Sequence, residues 1–211
     1  MGCFKNEMKI IIIFLLLSFF SSKVFCESNF TLVQIADGVT VSLPKNWIVL
    51  SNNTRTTIDA YVEATGNKKT ESSLAFTANL YNENGETIAL INFRAYPQNI
   101  FTQIQLQELQ NQNLDEMRDG IIKSLKQSLD LQNLKFLQWK SLNIRKINGY
   151  YVLQHEHLQE IGSPKIVWHS VALRIWNSPK SFTITLGYND KMSTLLAPII
   201  EKISTSLIIK Q

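Results

Sequence analysis

The second half of this chain alternates apolar and polar side chains over long runs broken by short turn sequences, and that pattern fits an antiparallel sheet. In residues 181–188, Phe182, Ile184 and Leu186 alternate with Thr183 and Thr185. Asn148-Gly149 lies between two such runs, 134–147 and 150–158, and both residues tolerate the positive φ angles of a type I′ turn. A second turn at Gly162-Ser163-Pro164 leads into 166–176, and Asn177-Ser178-Pro179 leads into the last run. Side chains in a strand repeat every second residue, so the turn positions decide which of them share a face.

The first half has the same grammar. Asp37-Gly38 separates residues 30–35 from 39–43. Asn84-Gly85, read as a type I′ turn, places Ala89, Ile91 and Phe93 opposite Leu80, Ala78 and Phe76. Three helical patterns fit between the strands. Residues 54–64 carry Ile58, Tyr61 and Val62 on one side. Asn113 and Glu116 have the spacing of a capping box, ahead of a stripe of Leu114, Met117, Ile121, Leu125 and Leu129. A last helix, capped by Asn189 or Asp190, turns Leu195, Leu196, Ile199 and Ile203 inward, with a bend expected at Pro198. Residues 98–112 hold six glutamines interrupted by Ile104, Leu106 and Leu109, the pattern of a polar helix or a loop. The expected fold class is α+β, a three-layer α/β/α sandwich around a mainly antiparallel sheet.

The N-terminus reads as an export signal. Lys5 and Lys9 precede an apolar stretch from Ile10 to Phe20, too short for a spanning helix, and polarity returns at Ser21-Ser22-Lys23. The expected division is a signal peptide over 1–26 and a single domain over 27–211, with no stable membrane span after cleavage and a periplasmic or secreted location. Cys26 is also a candidate lipid-modified cysteine, although Phe25 and Lys23 depart from that pattern. Met8 is an alternative start to Met1.

Composition narrows the chemistry. Both cysteines, Cys3 and Cys26, lie in the leader, so the domain has no disulfide, no thiol nucleophile and no thiolate metal site. The chain carries a net charge of +4 without a basic cluster, which excludes a nucleic-acid footprint. The sequence contains neither a Gly-x-Ser-x-Gly elbow nor a phosphate-binding glycine loop.

Val41-Ser42-Leu43-Pro44-Lys45-Asn46-Trp47, together with the order hairpin, helix, hairpin, long helix, meander, helix, resembles the PsbP-like superfamily. That family usually has glycine where Asn46 stands, and asparagine can also adopt a left-handed turn. The resemblance implies a binding or assembly-accessory module rather than an enzyme. It gives Pro44 and Trp47 a structural role and transfers no functional residue.

Two candidate sites follow from the residues. His155 and His157 share a strand face. If the turn at Gly162-Ser163 pairs residues whose numbers sum to about 324, His169 falls opposite His155, and three imidazoles then make a zinc site with an open position for water. The second is an aromatic group, Trp139, Trp168 and Trp176 with Tyr150 and Val152, fringed by Arg145 and Arg174, which could pair with Glu156. It is either covered by a helix or open to a partner. The resulting expectation is a non-catalytic binding or accessory protein of the cell envelope, with a protein or envelope component as partner and no cofactor. The alternative is a zinc-dependent hydrolase using His155, His157 and His169.

Overall fold

The computed structural model describes residues 29–36, 38–66, 73–97, 100–177 and 180–210. The expected signal peptide, with Cys3, Met8 and Cys26, lies outside them. Among the described residues, ten strands and four helices follow one another as β1 (Phe30–Ala36), β2 (Val39–Pro44), β3 (Ile48–Val49), α1 (Asn52–Gly66), β4 (Ser73–Tyr81), β5 (Thr87–Tyr96), α2 (Gln103–Leu109), α3 (Asp115–Leu131), β6 (Lys135–Ile147), β7 (Tyr150–Ile161), β8 (Ile166–Asn177), β9 (Lys180–Asn189), a 3-10 turn at Asp190–Met192, α4 (Ser193–Thr205) and β10 (Ile208–Ile209). The fold is α+β. A seven-stranded antiparallel sheet, ordered β3-β4-β5-β9-β8-β7-β6, forms the middle layer, and a separate sheet pairs β1-β2-β10.

The two faces of the large sheet are built differently. One face carries the main apolar core: Phe76, Ala78, Ile91, Phe93, Leu173, Ile175, Ile184 and Leu186 pack beneath α4 and the small sheet. Phe93 and Phe182 stack at 5.4 Å between centroids. We call this the core face. The opposite, three-helix face lies under α1, α2 and α3. Its apolar part is a smaller cluster of Leu106, Ile121, Ile144, Leu153 and Trp176 on the β6–β8 side.

Local sequence accounts for most elements. Asn148 and Gly149 adopt φ of 46° and 94°, so the type I′ turn forms as expected and Ile147 pairs with Tyr150. At Asn84-Gly85 only Gly85 has positive φ, and Asn82 Oδ1 accepts from the Asn84 and Glu86 amides. The turn is therefore not type I′. A register shift beside it, between Leu80 and Tyr81, restores the expected pairs Leu80–Ala89, Ala78–Ile91 and Phe76–Phe93. Asn113 makes no capping box, its Oδ1 accepting instead from the Asp115 amide, while Thr102 and Gln105 form one at α2. The glutamine-rich segment thus becomes a helix with Leu106 fully buried. In α4, Ile200 rather than Leu195 faces inward; Leu195 is 60% exposed. The helix continues through Pro198 and Asn189 caps the preceding 3-10 turn. Trp47 is buried in the core cluster, and Asn46 is not among the positive-φ residues.

Candidate functional site

The three histidines do not meet. Four residues, 162–165, connect Ile161 to its partner Ile166, so His169 lies opposite Leu158 and His155 lies opposite Ala172. Placing His169 opposite His155 would need a register three residues different, and an odd shift moves a side chain to the other face. His155 and His157 therefore sit on the three-helix face and His169 on the core face. Among the described residues no group of three or more His, Cys, Asp or Glu converges as a metal site.

His155 and His157 belong to a ladder of rings. Trp139 stacks on His155 at 5.7 Å with planes 8° apart, His155 on His157 at 5.9 Å, and His157 on Phe136 at 6.0 Å. Diagonal positions across β6 and β7, and the two-residue spacing along β7, bring these rings together. Both imidazoles are buried, and among the described residues both Nδ1 atoms lack a partner; His157 Nε2 bonds Gln159 Oε1 at 3.0 Å. Burial, reinforced by the nearby Arg174 and His157 charges, pushes His155 down to about 3. Burial also lowers His157, against its bond to Gln159. At neutral pH both rings are uncharged packing elements.

On the core face, His169 Nε2 meets Glu156 Oε2 at 3.0 Å, and Nδ1 meets the Tyr188 hydroxyl at 2.8 Å. Gln154 Nε2 donates to the other Glu156 oxygen at 2.8 Å. The His169 hydrogen bond holds Glu156 below the usual carboxylate range, against its partial burial. Burial pushes the Tyr188 phenol up to about 12. Tyr188 is 3% exposed, so this Glu–His–Tyr chain offers no accessible nucleophile. Glu156, His169 and Tyr188 are each held by hydrogen bonds within this network.

Trp139, Trp168 and Trp176 share the three-helix face, Trp139 through the register shift between Trp139 and Ser141, but Tyr150 and Val152 belong to the core face. Trp168 and Trp176 are buried, and Trp139 is half-buried. Trp168 lies against β9 at Gly187, where a Cβ would come within 3.2 Å of the indole, so this close approach depends on glycine. Phe101 meets Trp176 edge-on at 5.2 Å. The group is covered and does not form an open patch.

The two arginines separate as well. Arg145 projects from the core face to Glu201 at 2.7 Å and Ser204 Oγ at 2.8 Å on α4. Arg174 stays on the three-helix face. Neither pairs with Glu156. Arg174, Thr183 and Arg94 form one cross-strand row over β8, β9 and β5. Arg94 reaches Asp59 of α1 at 2.9 Å. Arg174 has no ion pair among the described residues, its Nε is buried without a hydrogen bond, and burial lowers its pKa. It lines a cavity of about 310 Å³ with Tyr96, Pro97, Ile100, Trp176 and Thr183.

Sequence reading found Arg174 but not its surroundings. Asn92, Arg94 and Tyr96 alternate with Ile91, Phe93 and Ala95 on β5, which marks a polar face. Only the pairing of β5 with β9, nearly ninety positions along the chain, brings that face beside Arg174.

This arrangement, a seven-stranded antiparallel sheet between a three-helix layer and a mixed helix-and-sheet layer, is the PsbP-like fold. Cyanobacterial PsbP (CyanoP) from Synechocystis sp. PCC 6803, a solution structure, superposes with a TM-score of 0.54 at 12% identity, covering 89% of this chain and 96% of that one. The Ran-binding protein Mog1p of Saccharomyces cerevisiae gives 0.47 at 9% identity, over 87% and 96%. LpqN of Mycobacterium tuberculosis, involved in cell envelope biogenesis, gives 0.45 at 12% identity, over 86% and 91%. No family model and no curated protein matches the sequence.

Proposed function

We propose that this chain is an exported, non-catalytic binding or accessory protein of the cell envelope, periplasmic or secreted, whose partner is a protein or another envelope component. The observation that carries the non-catalytic part is the use of the histidines. The side chains best suited to proton transfer at neutral pH are divided between two faces, and each is committed to internal packing or hydrogen bonding. The charged apolar leader supports export. No helix among the described residues is long and apolar enough to cross a membrane. The likeness to CyanoP supports the fold, and the binding role rests on the chain's own site.

The test has two arms. Expression of the full chain in a secreting host should yield a protein whose mass lacks residues 1–26, in the extracytoplasmic fraction; an uncleaved cytoplasmic product sinks export. Hydrolase substrates (esters, phosphoesters and peptides) should show no turnover attributable to the protein. Turnover that disappears in both His155→Ala and His169→Ala, with folding retained, sinks the non-catalytic reading.

A further inference from the structure

We propose that the cavity beside Arg174 binds a small organic carboxylate, the guanidinium taking the carboxylate and the aromatic wall taking the apolar body. The proposal rests on the binding reading above but not on export.

The first ground is an unanswered charge. Taking a guanidinium out of water is costly unless a partner offsets the lost hydration. The fold provides that partner to one arginine and withholds it from the other. In a single cross-strand row, Arg94 has Asp59 at 2.9 Å, whereas Arg174, two strands away, has no carboxylate among the described residues. The residues lining the cavity do not supply one either, because none of them is an Asp or Glu. Arg174 Nε is buried and unbonded, so this donor too is unused.

The second ground is the shape and chemistry of the space. At about 310 Å³ the cavity is at the small end of ligand pockets, enough for a compact organic acid. Trp176 and Tyr96 give it aromatic surface, Pro97 and Ile100 aliphatic surface, and Thr183 a hydroxyl in the row that holds Arg174. One guanidinium with an apolar wall matches a monoanion bearing a ring or short chain. The planar fork of arginine accepts a carboxylate through two parallel hydrogen bonds.

The probe is benzoate, compared with benzamide of the same shape, by calorimetry and Trp fluorescence on the purified protein. Benzoate should bind saturably with a Kd of about 1 mM or tighter and benzamide at least about tenfold more weakly. Arg174→Gln should lose benzoate binding, and Arg174→Lys should retain part of it. Loss of an unpaired buried charge should leave the thermal midpoint of Arg174→Gln unchanged or raised, which separates lost binding from lost folding. The benzoate–benzamide comparison requires no variant at all. Equal affinity for the two, undiminished binding in Arg174→Gln, or no saturable response to benzoate, hexanoate or indole-3-acetate overturns the proposal. Any of these would leave the processing and turnover results, which judge the wider reading, where they stand.

Discussion

The two faces of the seven-stranded sheet use the same strands for opposite purposes. Residue by residue along β5 and β9, the core face presents Ile91, Phe93, Ile184 and Leu186, all at or near zero exposure. The three-helix face presents Asn92, Arg94, Thr183 and Thr185 in the alternate positions. On β7 the contrast is Val152 against His155 and His157. A buried apolar face is stabilised by nondirectional burial and close packing. A covered polar face gains little from burial and depends on each group finding a partner. The core face therefore holds the fold together, while on the three-helix face Arg174 stands beside a cavity without an ion-pair partner among the described residues.

The sharpest break of this contrast is a matched pair of substitutions. Phe93→Ala removes a fully buried ring stacked on Phe182 and should cost about 3–5 kcal/mol, read as a lower urea midpoint. Thr185→Val, on the same central strands but facing the helices, is nearly isosteric and should change stability by less than about 1 kcal/mol. Comparable losses from both would mean that the three-helix face is also a packed core, and the division drawn here would fail.

Acid separates the faces next. His155 is held neutral, at about 3 against an ordinary value of 6.5. The unfolded chain therefore binds a proton that the folded one refuses between those values, and stability falls as pH drops from 6.5 towards 3. At pH 5 this one group should cost about 2 kcal/mol relative to neutral pH. His157 is shifted in the same direction and adds to the loss. Glu156 also weakens the fold in acid, with the opposite chemistry: its pKa is lowered, so its contribution is present above 4.5 and is lost as pH falls through the folded value. Its share therefore comes later than that of the histidines. His155→Phe should flatten the loss between pH 6.5 and 5; an unchanged slope would show that His155 is not buried neutral.

How much of this was legible beforehand follows the range of the interactions. Alternation and Asn148-Gly149 are local, and the meander and the β6–β7 register from the turn to Ser141 could be read from them, but the two register shifts further along β6 could not. The β4–β5 register came out right although the turn type did not, because a bulge beside Gly85 compensates for the different turn. The Gly162 connection had no such compensation, and its four residues moved His169 away from the other histidines. Pairings between distant segments were not legible: β10 with β2 closes a second sheet over the core face, and β5 with β9 assembles the row containing Arg174 and Arg94. Loop length and long-range pairing decided the site, and neither has a local sequence signature strong enough to fix it.

The smallest expected effect concerns how the polar face keeps its cover. Helix α2 is short, and besides the packing of Leu106 and Leu109 it is tied down by one amide. Gln103 Oε1 accepts from the Tyr151 N–H at 2.7 Å, and its Nε2 donates to the Trp176 carbonyl at 2.8 Å and the Tyr151 carbonyl at 3.2 Å. These groups lie where the β7–β8 ladder ends after Val152–Ile175, so the side chain extends the ladder as a peptide group would. Gln103→Leu removes those bonds at similar size and should cost about 1–2 kcal/mol. The loss should concentrate locally, as faster amide hydrogen exchange at Tyr151 and across α2, with exchange on β5 and β9 unchanged. Exchange that rises uniformly over the whole sheet would instead tie α2 to the core face and remove the independence of the two sides.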